Sequence, residues 1–240
     1  MTDIVIPLGG SCGWGHYEEL RYALRSADQY VGDLRSAYIL GPQKPEWLKA
    51  ECFIRHPDPY RSNKDANLIQ KVLRACMIPE LSERFIRMSD DQLFLAPWIP
   101  TLYYLEPLHS EMYLRTPRKW YKRLENTNKS LGKLPKPLYN FDSHVPMEYD
   151  KSIFVAVMTQ YDYGASPGMC INTLYANHIS SRRKKLPKGA RMGISGPASL
   201  QELDKQAKNA IFCNYVDGGL SDTFKSWVKK RFPQKTRFEN

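Results

Sequence analysis

The sequence predicts an α/β fold with a mostly parallel central sheet, in a single domain over residues 1–240. Short apolar segments alternate with amphipathic helical segments over the first hundred residues. Hydrophobic residues make up 42% of the chain, which is enough to bury a core. No apolar run approaches the ~20 residues of a membrane span, and the start lacks a signal-peptide pattern. We therefore expect a soluble, cytoplasmic protein.

The first half of the chain supplies most of the predicted elements. A strand is predicted over 3–8, and a flexible glycine-containing loop follows over 9–15. A helix is predicted over 17–31, because its apolar residues recur at the spacing of one helix face: Leu20, Leu24, Ala27 and Val31. Further strands are predicted over 37–40, 52–55 and 84–88. A second helix is predicted over 64–77.

The second half is less regular. Residues 97–146 are rich in proline, aromatic and basic residues, and we interpret them as an insertion that could face a second substrate. Beyond this insertion, strands are predicted over 153–159 and 211–215. A closing helix is predicted over 222–232, which ends before Pro233.

The strongest chemical signal is the segment Phe85–Gln92. Its apolar strand delivers Asp90 and Asp91 to the strand's carboxyl end, where ligands bind in open α/β sheets. Two carboxylates in one loop can hold Mg²⁺ or Mn²⁺, and the metal can neutralise a substrate diphosphate. Adjacent aspartates also cap helices and line ordinary loops, so that alternative stays open.

Two further loops carry polar residues that could act in chemistry. In Tyr139–Pro146, His144 is a candidate general base or metal ligand, and the alternative is a hydrogen-bonded loop histidine. In Asn214–Gly219, Asn214 or Asp217 could face a ligand, and the alternative is an ordinary turn.

Several segments together resemble one protein family. Glu19–Ser26, Pro45–Leu48, Ile78–Phe85 and the Asp90-Asp91 pair occur in one order, and they resemble the second conserved region of the Stealth family of sugar-phosphate transferases. Three shorter segments resemble the family's first region, its His-x-Pro element and its closing Phe-Pro-x-x-Ser-x-Phe-Glu stretch: Asp3-Ile4-Val5, His144-Val145-Pro146 and Phe232–Glu239, with Thr236 in place of serine.

The resemblance implies a GT-A-like fold, a nucleotide-diphospho-sugar donor such as a UDP-sugar, and Mg²⁺ or Mn²⁺ as cofactor. Carried over to this chain, it implies that Arg21, Arg25 and Ser26 lie near the donor. We also expect Gly9, Gly10 and Asp90 to bind the donor. It further implies that Asp90 and Asp91 lie near the metal and diphosphate, and that His144 lies near the attacking hydroxyl.

Two features limit this transfer of roles. The family's first region usually continues into Trp-Val-x-Gly, where this chain has Pro7-Leu8-Gly9-Gly10. In addition, Arg21 and Arg25 lie one turn apart on the predicted helix, with Glu18 within reach of Arg21. They could therefore be ordinary helix ion pairs instead of donor ligands.

The chain is strongly basic, with 35 Lys and Arg residues against 25 Asp and Glu residues, a net charge of +10. Such an excess favours polyanionic partners. Two of three basic blocks supply the candidate nucleic-acid contacts, with aromatic residues interleaved in the first: Arg118, Lys119, Lys122, Arg182, Arg183, Lys184 and Lys185. The third block covers Lys225–Arg231. Each block could instead be a solvated surface.

These observations predict a metal-dependent glycosyltransferase that adds a sugar from a nucleotide donor to a hydroxyl. Our leading hypothesis for the acceptor is a hydroxymethylated base of phage DNA, which must be flipped out of the helix to react. An alternative is a Stealth-type transferase that moves hexose 1-phosphate to a cell-surface polysaccharide. A third, of another class, is a nucleic-acid-binding module without catalysis.

Overall fold

The structure, a computed structural model, describes residues 1–10, 13–109, 119–135, 137–179 and 182–240. The strands are β1 (Thr2–Pro7), β2 (Leu34–Gly41), β3 (Phe53–Arg55), β4 (Arg84–Arg87), β5 (Gln92–Phe94), β6 (Leu102–Tyr104), β7 (Met147–Asp150), β8 (Arg183–Lys185), β9 (Arg191–Ile194) and β10 (Phe212–Tyr215). The α-helices are α1 (Glu18–Tyr30), α2 (Lys64–Cys76), α3 (Lys119–Ser130), α4 (Lys151–Met158), α5 (Ile171–Ala176), α6 (Leu200–Ala207) and α7 (Asp222–Arg231). Within these residues, no helix is long and apolar enough to cross a membrane.

The central sheet has the strand order β3-β2-β1-β4-β7 among the described residues. The first four strands run parallel, and β7 is antiparallel to β4. The predicted α/β fold with a mostly parallel sheet is therefore confirmed. A smaller sheet, β5-β10-β9, continues from the end of β4, and β6 pairs with β8.

The central sheet is covered on both faces, which explains its near-continuous apolar strands. On one face, Ile4 and Ile86 pack with residues of α1 and α7. On the other face, Val5 and Phe85 pack with residues of α2, α3, α4 and α5. Because neighbouring strand residues point to opposite faces, this alternation assigns each helix to one side of the sheet.

The predicted strand over 153–159 is wrong. These residues belong to helix α4, whose first turn is capped by Asp150, with the Ile153 N–H donating to the Asp150 carboxylate over 3.0 Å. Phe154, Val157 and Met158 are buried at helical spacing, whereas Ile153 is 40% exposed. A short apolar run does not distinguish a strand from a buried helix by periodicity, and the cap decided the outcome here.

The other predicted elements are present with small shifts at their ends. The helices predicted over 17–31, 64–77 and 222–232 are α1, α2 and α7. Asn63 caps the start of helix α2, because its side chain accepts a hydrogen bond from the Ala66 N–H over 3.0 Å. The insertion over 97–146 contains β6 and α3, neither of which was predicted. The following elements were not predicted either: β5, β7, β8, β9, α5 and α6.

Candidate active site

The two aspartates predicted to act lie where β4 leaves the central sheet. A tight turn joins β4 to β5: the Gln92 N–H donates to the Ser89 carbonyl over 3.2 Å, and the Ser89 N–H donates to the Gln92 side chain over 2.9 Å. This turn holds Asp90 and Asp91, both half-buried, at the carboxyl edge of the parallel strands. That edge is the usual ligand-binding edge of an open α/β sheet.

Two more carboxylates approach this pair from other elements. Glu19, at the start of α1, is only 6% exposed. Burial raises the pKa of Glu19 to about 7, and the negative charges of Asp90, Asp91 and Asp217 add to the rise. Burial and the charge of Asp90 likewise raise the pKa of Asp91 to about 7. These mutual effects indicate a concentration of negative charge in one partly desolvated place.

Loops after β1 and β10 meet beside this cluster. A Cβ on Gly13 would lie 2.6 Å from Oδ1 of Asp217, so a side chain there would force the two loops apart. The Gly13 backbone also donates a hydrogen bond to the Glu19 carboxylate. The glycine thus allows the loop after β1 to touch the loop that carries Asp217.

Two buried cations balance part of this negative charge. Lys71 of α2 is 1% exposed, donates to the Leu8 carbonyl over 2.7 Å and lies 2.5 Å from Oδ1 of Asp58. Arg87 of β4 is 5% exposed, and its Nε has no hydrogen-bond partner among the described residues. Lys71 and Arg87 both oppose the rise that burial causes in the pKa of Asp90.

The donor set of the cluster suits a hard divalent cation, because it consists of carboxylate oxygens. The buried Oδ1 of Asn214, near the end of β10, also lacks a hydrogen-bond partner among the described residues. However, no group of three or more His, Cys, Asp or Glu residues in the described ranges is arranged to hold a metal by itself.

Gly9 and Gly10 lie at this same edge, exposed and directly after β1. A Cβ on Gly10 would lie 3.6 Å from Pro42, which is an ordinary van der Waals distance, so the backbone at Gly10 is not crowded by its neighbours. Their predicted role at a donor stays a prediction, and their position after β1 is compatible with it.

The α1 arginines are engaged elsewhere. Arg25 donates to both carboxylate oxygens of Glu239, over 2.7 and 2.8 Å, and to the carbonyl of Phe232. Arg21 pairs with Glu18 and lies over the ring of Trp47, 4.7 Å from its centroid. These contacts fasten the C-terminal segment to α1, and the predicted contact of both arginines with a donor diphosphate stays a prediction.

Ser26 is fully buried on α1. Its hydroxyl donates to the Ala23 carbonyl over 2.8 Å and accepts from the Phe94 N–H over 3.0 Å. Both hydrogen bonds belong to the packing of α1 against β5. Its predicted contact with a donor also stays a prediction.

The loop before β7 brings further polar groups to the same edge. Because β7 is antiparallel to β4 and Met147 pairs with Arg87, residues 142–146 lie beside the end of β4. His144 is exposed, has φ 52° and makes no hydrogen bond to a described residue. Asp142 is half-buried, and its carboxylate accepts from the Trp120 indole N–H over 2.5 Å.

The basic residues predicted to contact nucleic acid are only partly available. Arg118 lies outside the described residues, and of Lys119 only its place in α3 is described. Lys122 and Lys184 are exposed. Arg182 pairs with Glu148 over 3.2 Å, Lys185 pairs with Glu106 over 2.7 Å, and Arg183 turns inward to the carbonyls of Ile179 and Asn177.

Sequence reasoning missed Glu19, Lys71, Arg87 and Asp142. Glu19 was named only as the first residue of the segment Glu19–Ser26 and was given no role of its own. Lys71 had a usable signal, because Asn63, Asn67 and Lys71 recur every four residues and form a polar stripe on α2. Arg87 precedes Asp90 on the predicted strand, so the sequence places it near the pair, whereas the position of Asp142 depends on the β4–β7 pairing, which the local sequence does not encode.

No known family model matches the chain, and no curated protein is detectably similar to it in sequence. Two solved structures share its architecture. An active-site mutant of LgtC has a TM-score of 0.52 at 10% identity, with 98% of each chain covered. The galactosyltransferase LgtC in complex with donor and acceptor sugar analogs has a TM-score of 0.50, also at 10% identity and 98% coverage of each chain. The chain has the GT-A fold.

This likeness extends to the fold alone, since identity is so low. It confirms the predicted GT-A-like architecture over nearly the whole chain. The more specific resemblance to the Stealth family has no support from these comparisons.

Proposed function

We propose that the chain is a glycosyltransferase that takes a sugar from a nucleotide-diphospho-sugar and passes it to a hydroxyl group. The observation that carries the proposal is the Asp90-Asp91 pair at the end of β4 in a GT-A fold. A carboxylate pair at this edge suits a diphosphate that is brought in with a divalent cation.

In this proposal, Asp90 and Asp91 hold Mg²⁺ or Mn²⁺ together with the donor's diphosphate oxygens. When bound, the cation neutralises the charge that develops on the leaving nucleoside diphosphate. Lys71 and Arg87 lie near the pair and offer further positive charge toward the phosphates. Gly9 and Gly10 leave the backbone after β1 open to the donor, which we take to be a UDP-sugar.

The acceptor side is the edge next to β7. His144 is the candidate for the base that takes the proton of the attacking hydroxyl, as the sequence predicts. Its exposure leaves the ring accessible to a substrate, although no described residue fixes its orientation.

One candidate for the acceptor is hydroxymethylated DNA, and the net charge of +10 is the observation that favours it. The exposed Lys122 and Lys184 would contribute phosphate contacts. In this version the donor chemistry is unchanged, and only the source of the hydroxyl differs.

The test of the proposed function is binding and turnover of the donor. UDP with Mn²⁺ should raise the unfolding temperature by more than either component alone, because cation and diphosphate complete one site. A panel of UDP-sugars with Mn²⁺ should identify one donor that is slowly hydrolysed, and Asp91→Asn should abolish both effects. Absence of any nucleotide-dependent stabilisation with every nucleoside diphosphate tried would contradict the proposal.

A further inference from the structure

A group of buried polar atoms without partners surrounds the loop before β7. Oδ2 of Asp65, Nε of Arg87 and Nδ2 of Asn140 make no hydrogen bond to a described residue. These side chains are 4%, 5% and 0% exposed, respectively. Unsatisfied polar groups are costly inside proteins, so three in one neighbourhood indicate a place where a ligand or water supplies the missing partner.

Asp142 lies at the centre of this group. Its N–H donates to Oδ1 of Asn140 over 2.9 Å, and its Oδ2 accepts from the Trp120 indole. The neighbouring Ser143 carbonyl accepts from Arg191 over 2.8 Å, which fixes the loop from the other side. The carboxylate is thus held in one orientation, while Oδ1 has no partner among the described residues.

Electrostatic effects tie the group to the Asp90-Asp91 pair. Burial raises the pKa of Asp65 to about 6, and the charge of Asp142 adds to the rise, whereas Arg123 and Arg87 oppose it. The charge of Arg87 also opposes the rise that burial causes in the pKa values of Asp90 and Asp91. One guanidinium therefore lies within electrostatic range of both the donor carboxylates and Asp65.

Trp120 adds a flat apolar surface beside this carboxylate. It lies at the start of α3, half-buried, with its ring 4.8 Å from that of Tyr121 in an edge-on arrangement. An aromatic ring next to a fixed carboxylate suits a pyranose. In such an arrangement, the C–H face of the sugar packs on the indole, and the sugar hydroxyls donate hydrogen bonds to the carboxylate.

We propose that Trp120 and Asp142 form the acceptor subsite and that the acceptor hydroxyl group belongs to a sugar ring. The subsite lies at the β4–β7 edge, next to Asp90 and Asp91. Oδ1 of Asp142 accepts a hydrogen bond from the sugar and so selects which hydroxyl faces the donor. This inference deepens the proposed function and rests on it for the identity of the reaction.

The charge of the subsite favours a neutral sugar over DNA. Asp142 and Asp65 are two carboxylates in mutual electrostatic range, and they would repel a phosphate backbone that approached them. Two described cations beside the subsite are already engaged, since Arg123 pairs with Asp65 and Arg191 donates to the Ser143 carbonyl. A hydroxyl donor carries no such penalty.

The experiment uses Asp142→Asn, with Asp204→Asn as a matched control. Asp204 accepts from the indole N–H of Trp227 over 2.8 Å, so both substitutions change the same kind of indole–carboxylate pair. Asp204 is a residue of α6 that faces α7, on the other face of the sheet. Methyl glycosides of glucose, galactose and N-acetylglucosamine are the probes, and their binding is measured by saturation-transfer NMR without a donor.

We expect at least one glycoside to bind, Asp142→Asn to weaken its binding on the order of tenfold or more, and Asp204→Asn to leave it unchanged. UDP–Mn²⁺ affinity and donor hydrolysis should stay within about twofold of wild type in both variants, while the acceptor KM rises in Asp142→Asn. Thermal unfolding of both variants reports any loss of folding.

Two outcomes would overturn the inference: no glycoside binds the wild type, or Asp142→Asn binds the glycoside as the wild type does. Transfer to a duplex containing hydroxymethylated cytosine, unaffected by Asp142→Asn, would also overturn it. Failure of the proposed function is seen separately, as an absence of UDP–Mn²⁺ binding in a protein that still binds the glycoside through Asp142.

Discussion

Asp91 is held in the folded protein at an energetic cost. Its pKa is raised from 3.8 to about 7, because burial and Asp90 disfavour the charged form. The folded state therefore binds the proton more tightly than the unfolded state. The contribution of Asp91 to the free energy of unfolding is therefore most favourable below about pH 4, declines as the pH rises toward 7, and stays lower above it. Groups kept in such an unfavourable state are frequent at functional sites.

This cost gives Asp91→Asn two opposite effects. At pH 8 the variant should unfold roughly 2–4 °C higher than wild type, which corresponds to about 1 kcal/mol for a chain of this size. Its donor turnover should fall by ~10²-fold or more, because it loses a carboxylate that balances the cation. Calorimetry at pH 4 and pH 8, with donor hydrolysis alongside, measures both effects. An active variant, or one equally stabilised at both pH values, would argue against a charged functional site.

His144 carries a second residue-level cost. Its φ of 52° lies in the left-handed region, which a side chain with a Cβ adopts at an expense of about 1 kcal/mol. Such strain persists where a particular side chain is needed.

His144→Gly should therefore keep or raise stability, by up to about 1 kcal/mol, since glycine adopts this conformation freely. If the imidazole takes the acceptor proton, the same variant should lose about 10²-fold in transfer but keep donor hydrolysis. Chemical denaturation and steady-state transfer assays measure the pair of effects. Unchanged transfer in His144→Gly would identify an ordinary loop histidine.

At the scale of elements, the C-terminal segment acts as a strap across α1. Glu239 is 7% exposed and accepts two hydrogen bonds from Arg25, while Thr236 and Arg237 bind Asp28. Burial alone would raise the pKa of Glu239, but the hydrogen bonds from Arg25 and the Thr236 N–H, together with the charges of Arg25 and Arg21, outweigh it and lower the pKa. The strap's stabilisation is therefore present above about pH 4.5 and is lost as the pH falls through the folded-state pKa.

Arg25→Ala should cost about 3 kcal/mol, because it leaves the buried Glu239 carboxylate without its main partner. The double variant with Glu239→Gln should recover part of the loss, since no charge is then stranded. UDP–Mn²⁺ affinity of the folded variant should be unchanged if Arg25 serves the strap. A weaker UDP affinity at preserved stability would instead support the sequence-based assignment of Arg25 to the donor.

Comparison of elements shows which of them the sequence specifies locally. Helix α1 was predicted within a residue of each end, because its apolar residues follow one face. The run 153–159 was misassigned, because only the Asp150 cap distinguishes it from a strand. Asp90 and Asp91 were predictable from the strand that delivers them. Asp142 joins them through the long-range pairing of β7 with β4, and Glu19 through the packing of α1 against β5, neither of which short-range patterns contain.

At the scale of the whole molecule, the basic blocks are divided between the faces of the central sheet. Helix α3, with Lys122, packs on the face that holds α2. Helix α7, with the exposed Lys229 and Lys230, packs on the face that holds α1. The block at β8 is partly neutralised by Glu148 and Glu106. Among the described residues, the basic side chains are thus spread around the molecule and are not gathered into one surface.

This distribution limits how many phosphates one duplex can contact. With roughly two or three contacts, the affinity for a 20-base-pair duplex should weaken only about 10- to 50-fold between 50 and 200 mM salt, at a log–log slope near −0.9 per contact. Fluorescence anisotropy measures the slope, and Lys122→Glu, Lys184→Glu and Lys229→Glu report each block separately. Because the blocks of α3 and α7 face opposite sides, Lys122→Glu and Lys229→Glu should not both reduce the slope. A slope reduced by about 0.9 in all three variants would mean that the blocks form one DNA-binding surface, and it would restore modified DNA as the leading acceptor.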